Sequence, residues 1–118
     1  MKILVIDDEE EVLNVLNDIL TTEGHEVILA RDVKDGLENV TDAIDVIITD
    51  LRMRMAEVGG EQYIEIVKVR YPRIPIIVLS AFVESEEELL SLGASKVLNK
   101  PVSIEPLLAA IEEVTKKK

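Results

Sequence analysis

Cysteine is absent from the 118 residues, which excludes disulfides, thiolate metal sites and a thiol nucleophile. Tryptophan is absent too, and aromatic residues make up only 3%, so any core has to be built from Val, Ile and Leu. Long hydrophobic runs are also missing. The first apolar stretch, Ile3 to Ile6, ends in acid and is too short for a signal sequence or a membrane span. No glycine-rich turn follows it; the chain runs into Asp7-Asp8-Glu9 instead, which excludes a dinucleotide-binding turn. Positive charge is scarce: 13 Lys and Arg against 24 Asp and Glu leave a net charge of -11. That balance disfavours attraction to nucleic acid and leaves any direct DNA role to another domain. The expectation is a cytoplasmic protein that touches neither membrane nor nucleic acid.

What is present fits one domain over residues 1–118, because two halves of this length would each have a marginal core. A hydrophobic share of 47% supports an ordinary globular interior. Five short β-branched runs stand out: Lys2 to Asp7, Glu26 to Ala30, Val46 to Asp50, Ile76 to Ser80 and Lys96 to Asn99. Each is almost continuously apolar, as in parallel strands buried on both faces. Segments of helical period lie between them. Val12, Leu13, Leu16, Ile19 and Leu20 form the stripe of a first helix, with Gly24 suited to its stop. A second runs from about Val33 to Val40 behind the cap Asp32. A third runs from about Glu61 to Arg70, with Tyr63, Ile64, Val67 and Tyr71 inward, before Pro72 and Pro75. The fourth, about Glu84 to Leu92, relies on Leu89, Leu90 and Leu92. The fifth follows Ser103 and carries Ile104, Leu107, Leu108, Ile111 and Val114, with Pro106 in its first turn. The alternation predicts an α/β fold with a parallel sheet.

The polar residues that punctuate the strands fall at one end of the sheet. Asp7 and Asp8 close the first strand, Asp50 the third, Ser80 the fourth and Lys100 the fifth. Ligands of open parallel sheets bind beyond the carboxyl ends of the strands, so this edge is the candidate site. Three carboxylates there repel one another and call for a cation. Mg²⁺ suits an all-oxygen donor set. Lys100 contributes a single positive charge, which does not balance three carboxylates. A carboxylate flanked by a metal and an ammonium is placed to attack a phosphoryl donor. Asp50, the lone acid of its strand end, is the expected nucleophile, and Ser80 can donate its hydroxyl to a phosphoryl oxygen.

With Asp7-Asp8, Asp50, Ser80 and Lys100-Pro101 in this order, the sequence resembles the response-regulator receiver family over essentially its whole length. The resemblance implies a flavodoxin-like sheet of order 2-1-3-4-5 flanked by five helices. It implies phosphorylation of Asp50 by a sensor histidine kinase or a phosphotransfer protein. Mg²⁺ would be held directly by Asp8 and Asp50, by Asp7 mainly through water, and by the backbone carbonyl of Arg52. Ser80 and Lys100 would hold the phosphoryl oxygens, a cis bond would precede Pro101, and Ala81 would leave access to the site. Output would pass to a downstream protein through the face of the fourth helix, fifth strand and fifth helix; whether the chain forms a homodimer is left open by the sequence.

The sequence departs from the family pattern in three places. Arg54 stands where a proline is usual, in a loop from Leu51 to Gly60 that is longer by about two residues. The stretch between Ser80 and Gly93 is shorter by about two. Val97 occupies the place of the customary Tyr or Phe, so the aromatic half of the usual switch is missing. Two rival readings follow: an interaction module that no longer accepts phosphate, and a Mg²⁺-dependent phosphohydrolase with an aspartyl-phosphate intermediate. Against the second, Arg52 stands where such an enzyme needs its general acid. Elsewhere bland readings suffice: His25 as a solvated turn residue, Met53 and Met55 as filling beneath the loop, Glu84 to Glu88 as a solvated helix start, and Lys116 to Lys118 as a solubilising helix end.

Overall fold

The computed structural model describes residues 1–51, 59–80 and 86–116. Expectations at Arg52, Met53, Arg54, Met55, Ala81, Glu84, Lys117 and Lys118 lie outside the described residues. Ten elements alternate along the chain: β1 (Lys2–Ile6), α1 (Glu10–Thr22), β2 (Glu26–Ala30), α2 (Val33–Asn39), β3 (Val46–Asp50), α3 (Gly60–Arg70), β4 (Ile76–Ser80), α4 (Glu86–Leu92), β5 (Lys96–Asn99) and α5 (Ile104–Thr115). The strands pair in parallel in the order β2-β1-β3-β4-β5. The expected fold class and strand order are therefore observed. β1 stops one residue earlier than expected, although the Asp7 amide still donates to the Ala30 carbonyl at 3.1 Å.

Successive residues of a strand point to opposite faces, and the apolar runs use this to build two cores. Leu4, Ile6, Ile47, Ile76 and Val78 face one side and pack with Val33, Leu51, Tyr63, Ile64, Val67 and Leu89. Ile3, Val5, Val46, Ile48, Ile77 and Leu79 face the other and pack with Leu13, Leu16, Leu20, Leu107 and Ile111. Strands β3 and β4 are buried throughout, whereas the edge strands β2 and β5 are only partly covered. Continuous hydrophobicity is thus a requirement of central position, not of strand identity.

The helix ends follow local chemistry. Asp32 caps α2 by accepting the Asp35 amide at 2.7 Å. Gly24 takes a φ of +91° just past α1, a conformation that suits glycine. At the start of α3, the Gln62 side chain accepts the Gly59 amide at 2.8 Å, which serves one of the amides a helix start leaves unpaired. Two anchors expected from periodicity fail. Leu90 is 41% exposed and Ile104 is 52% exposed. In α4, Leu89 and Leu92 share the inward face, and Leu90 is turned away by one helical step. Ile104 is the first residue of α5, where the helix has not yet reached the sheet; Leu107 is the first fully covered position. His25, expected to be solvated, is half-buried, with its Nδ1 3.3 Å from the amino-terminal nitrogen.

Candidate functional site

The strand register converts sequence positions into a cluster. Ile6 pairs with Thr49, so Asp7 and Asp50 leave adjacent strands at the same level. Asp50 pairs with Leu79, and Ser80 pairs with Asn99, so Ser80 and Lys100 arrive beside them. The Lys100 amide donates to the Ser80 carbonyl at 2.8 Å, continuing the ladder one step past β5. The Lys100–Pro101 peptide bond is cis, as the family resemblance implied.

Asp7 is 1%, Ser80 2% and Asp50 6% exposed. A carboxylate buried this far needs partners, and Asp7 has them on both oxygens. Oδ1 accepts the Glu9 amide at 2.9 Å, which closes the turn into α1. Oδ2 accepts the Lys100 ammonium at 3.0 Å. The same ammonium lies 3.4 Å from Asp50 Oδ2. Burial works to lower the Lys100 pKa, but its hydrogen bond to Asp7 and the negative charges of Asp50 and Asp7 outweigh this, so the net direction is upward. The lysine is therefore a fixed cation. Asp8 is half-buried and completes the group: one oxygen each from Asp7, Asp8 and Asp50 lie within 4.8 Å of one another.

Among the described residues, one ammonium faces three carboxylates, so these four side chains together carry surplus negative charge. Hard oxygen donors at this separation suit Mg²⁺, which takes one or two carboxylates and completes its shell with water and phosphate oxygens. Asp7, Asp8 and Asp50 each offer one oxygen to such an ion. The structure brings together Asp7, Asp8, Asp50 and Lys100, with Ser80 at the same edge. The Arg52 carbonyl lies outside the described residues.

Two residues at the site are not singled out by sequence reasoning. Thr49 is fully buried and its hydroxyl donates to the Asp50 carbonyl at 3.0 Å. The visible signal is a single hydroxyl in an otherwise apolar strand, directly before the aspartate. Gly60, first residue of α3, lies against the main chain of Leu51; nothing in the sequence marks a contact between positions so far apart. At the opposite end of the sheet, a hollow of about 880 Å³ is lined by residues such as Ile44, Tyr71, Arg73 and Lys116. It lies at the amino ends of the strands, away from the aspartates.

A doubly wound α/β protein with an acidic cluster and a lysine at the carboxyl edge of its sheet is the class this geometry defines. The pattern "Response regulator receiver domain" matches residues 3–112, and the chain belongs to that family. It is 33% identical over 114 residues to the transcriptional regulatory protein ZraR of Escherichia coli K12, covering 94% of this chain and 25% of the relative. It is 29% identical over 122 residues to a putative NtrX-like response regulator of Rickettsia bellii, covering 98% and 26%. The chain thus spans about a quarter of the length of these curated relatives. Among solved structures, a response regulator receiver domain protein from Clostridium thermocellum superposes with a TM-score of 0.86 at 33% identity, covering 97% of this chain and 93% of that one. The receiver domain of NtrX from Brucella abortus gives a TM-score of 0.91 at 25% identity, covering 98% and 99%. The protein is a receiver domain of two-component signalling. No helix among the described residues is long and apolar enough to cross a membrane.

Proposed function

We propose that the chain is one receiver unit over residues 1–118 that accepts a phosphoryl group on Asp50 with the help of Mg²⁺. The observation that carries this reading is the Lys100 ammonium held between Asp7 at 3.0 Å and Asp50 at 3.4 Å, beside the oxygen of Asp8. An ionised Asp50 oxygen attacks the phosphorus of the donor. The bond from phosphorus to the donor breaks, and its electron pair departs with the donor group. The attacking carboxylate needs no proton removed, so the step calls for no general base. Asp8 and Asp50 would hold Mg²⁺ directly, Asp7 through water, with the Arg52 carbonyl as a further ligand. Bound there, Mg²⁺ supplies positive charge to the transferring oxygens. Lys100 already points its ammonium at Asp50 and supplies the second cation. Ser80 offers a hydroxyl donor from the neighbouring strand end.

The donor on this reading is a histidine kinase or a phosphotransfer protein of the cytoplasm. The output is altered binding of another protein by the face of α4, β5 and α5. Leu90 of α4 and Ile104 of α5 are exposed apolar residues of these helices, and Lys96 of β5 is tied to Glu113 of α5 at 3.0 Å. The acidic balance of the chain argues for a protein partner, or a second copy, over nucleic acid. The reading is tested by intact mass spectrometry after incubation with Mg²⁺ and phosphoramidate, comparing the chain with Asp50→Ala. A phosphoryl adduct that requires Mg²⁺ and vanishes in the variant supports it. A folded wild type that stays unmodified, also with a kinase that phosphorylates related receivers, favours the phosphate-independent module that Val97 suggests. Steady turnover of a phosphate ester would instead support the phosphohydrolase.

A further inference from the structure

We infer that Gly60 is a positioning residue for Asp50: its missing side chain lets the first turn of α3 rest directly on the Leu51 main chain and so fixes where the phosphoacceptor strand ends. The inference rests on the reading of Asp50 as phosphoacceptor and adds a determinant of its placement from outside the acidic cluster. A Cβ built at Gly60 would overlap the carbonyl oxygen of Leu51 and lie 2.9 Å from both its carbonyl carbon and its Cα. Real Cβ atoms do not come that close to backbone, so one of the two segments would have to move.

Neither segment is free to give. The Leu51 amide donates to the Leu79 carbonyl at 3.1 Å, which continues the ladder begun by the Asp50–Leu79 pair. Its side chain is buried in the core beneath α3. On the other side, α3 is anchored by the buried Tyr63, Ile64 and Val67, and its first turn is closed by Gln62 on the Gly59 amide and by the Tyr63 amide on the Gly59 carbonyl. Two rigid bodies therefore meet main chain to main chain, one residue from the carboxylate. The glycine is not there for backbone freedom, because among the described glycines only Gly24 and Gly93 have positive φ. In a helical position alanine ordinarily stabilises, so a functional loss on Gly60→Ala points to space and not to conformation. Catalytic geometry tolerates little misplacement, and a shift on the order of 1 Å can cost roughly a hundredfold in rate.

The test compares wild type, Gly60→Ala, Gly59→Ala and Gly93→Ala. A Cβ at Gly59 meets only side-chain oxygens at 3.6 and 3.9 Å, so that variant controls for the neighbouring turn position. Gly93, with a φ of +125° and the stem of Lys68 against it, lies in the turn before β5 and controls for lost stability away from Asp50. Folding is followed by circular dichroism, Mg²⁺ affinity by calorimetric titration, and the rate of phosphoryl uptake from phosphoramidate by intact mass at saturating Mg²⁺. Gly60→Ala, while folded, is expected to lose at least roughly tenfold in that rate, with Gly59→Ala near wild type. Gly93→Ala is expected to melt earlier yet keep its rate. A folded Gly60→Ala with a wild-type rate overturns the inference, and so does a Gly93→Ala whose rate falls in step with its stability. Should Gly60→Ala not fold, the series is repeated in the cold with trimethylamine N-oxide; failure to fold there as well assigns the glycine to the fold and overturns the positioning role. A wild type that takes up no phosphoryl group removes the Asp50 reading itself and this inference with it, and is told apart because every variant is then silent.

Discussion

Replacing Asp50 by asparagine should stabilise the metal-free protein, although the aspartate is buried and next to a lysine. Neutralising Asp50 removes two repulsions, with Asp7 and Asp8, whose oxygens lie within 4.8 Å. Each is worth about 3.5 kcal/mol at an effective dielectric constant of about 20. Among the described residues the same change removes one ion pair, to Lys100 at 3.4 Å, worth about 5 kcal/mol by that arithmetic. Solvent around the half-buried Asp8 screens its share, so the net gain is about 1 to 2 kcal/mol. Lys100 is not orphaned, because Asp7 still holds it at 3.0 Å. Asparagine keeps the shape of the side chain, so packing is little disturbed. The assay is urea unfolding at low ionic strength, in EDTA and in Mg²⁺, with the slope checked for constancy. At a hundredfold excess of Mg²⁺ over its Kd the wild type gains about 2.7 kcal/mol; a variant binding tenfold more weakly gains about 1.4 kcal/mol. The advantage of Asp50→Asn should therefore be largest in EDTA and shrink or close in Mg²⁺. A variant less stable than wild type in EDTA, or one that gains as much from Mg²⁺, would refute the argument that surplus charge at this edge awaits a cation.

Other substitutions separate the remaining roles. Lys100→Met leaves Asp7 and Asp50 facing each other without their ammonium and should cost about 3 kcal/mol in metal-free urea unfolding, with slower phosphoryl uptake. Ser80→Ala should slow uptake from phosphoramidate by roughly tenfold or more and leave Mg²⁺ affinity unchanged in calorimetry; an equal loss of both would place the hydroxyl with the metal ligands. Tyr63→Phe loses the hydrogen bond from the phenol to the Gly36 carbonyl at 3.1 Å and should cost about 1 kcal/mol at neutral pH. Burial raises the Tyr63 pKa, so above the unfolded phenol's value of about 10 the unfolded chain sheds a proton that the folded one keeps. Stability is then complete below that pH and declines as pH rises; urea midpoints measured on either side should show the wild type losing its advantage over Tyr63→Phe.

The strands were legible because each central strand is a nearly unbroken apolar run between helical segments, which marks a parallel sheet covered on both faces; their order was implied by the family resemblance and not by the runs themselves. The grouping at the candidate site was legible for a related reason: once the strands are parallel, the last polar residue of each must arrive at one edge. Asp7, Asp8, Asp50, Ser80 and Lys100 needed no further information to be grouped. What periodicity misjudged were positions at helix ends. Ile104 and Leu90 are apolar and in plausible register, yet coverage depends on where the helix meets the sheet, which a period does not encode. What the sequence did not reveal were contacts made through main chain. Gly60 against Leu51 depends on a distance between backbones, and residue type alone does not announce it. The bond between Asp7 and Lys100 could be anticipated as charge balance, but its sharing with Asp50 follows from register.

The division of the interior into two cores has a consequence for β3 in particular. Ile48 packs against the layer of α1 and α5, and Leu51 against the layer of α3 and α4. The segment carrying Asp50 is therefore clamped from opposite sides by helices that do not share a core. A displacement of that segment would meet packed side chains on both faces of the sheet, so the end of β3 has no soft side toward which to yield.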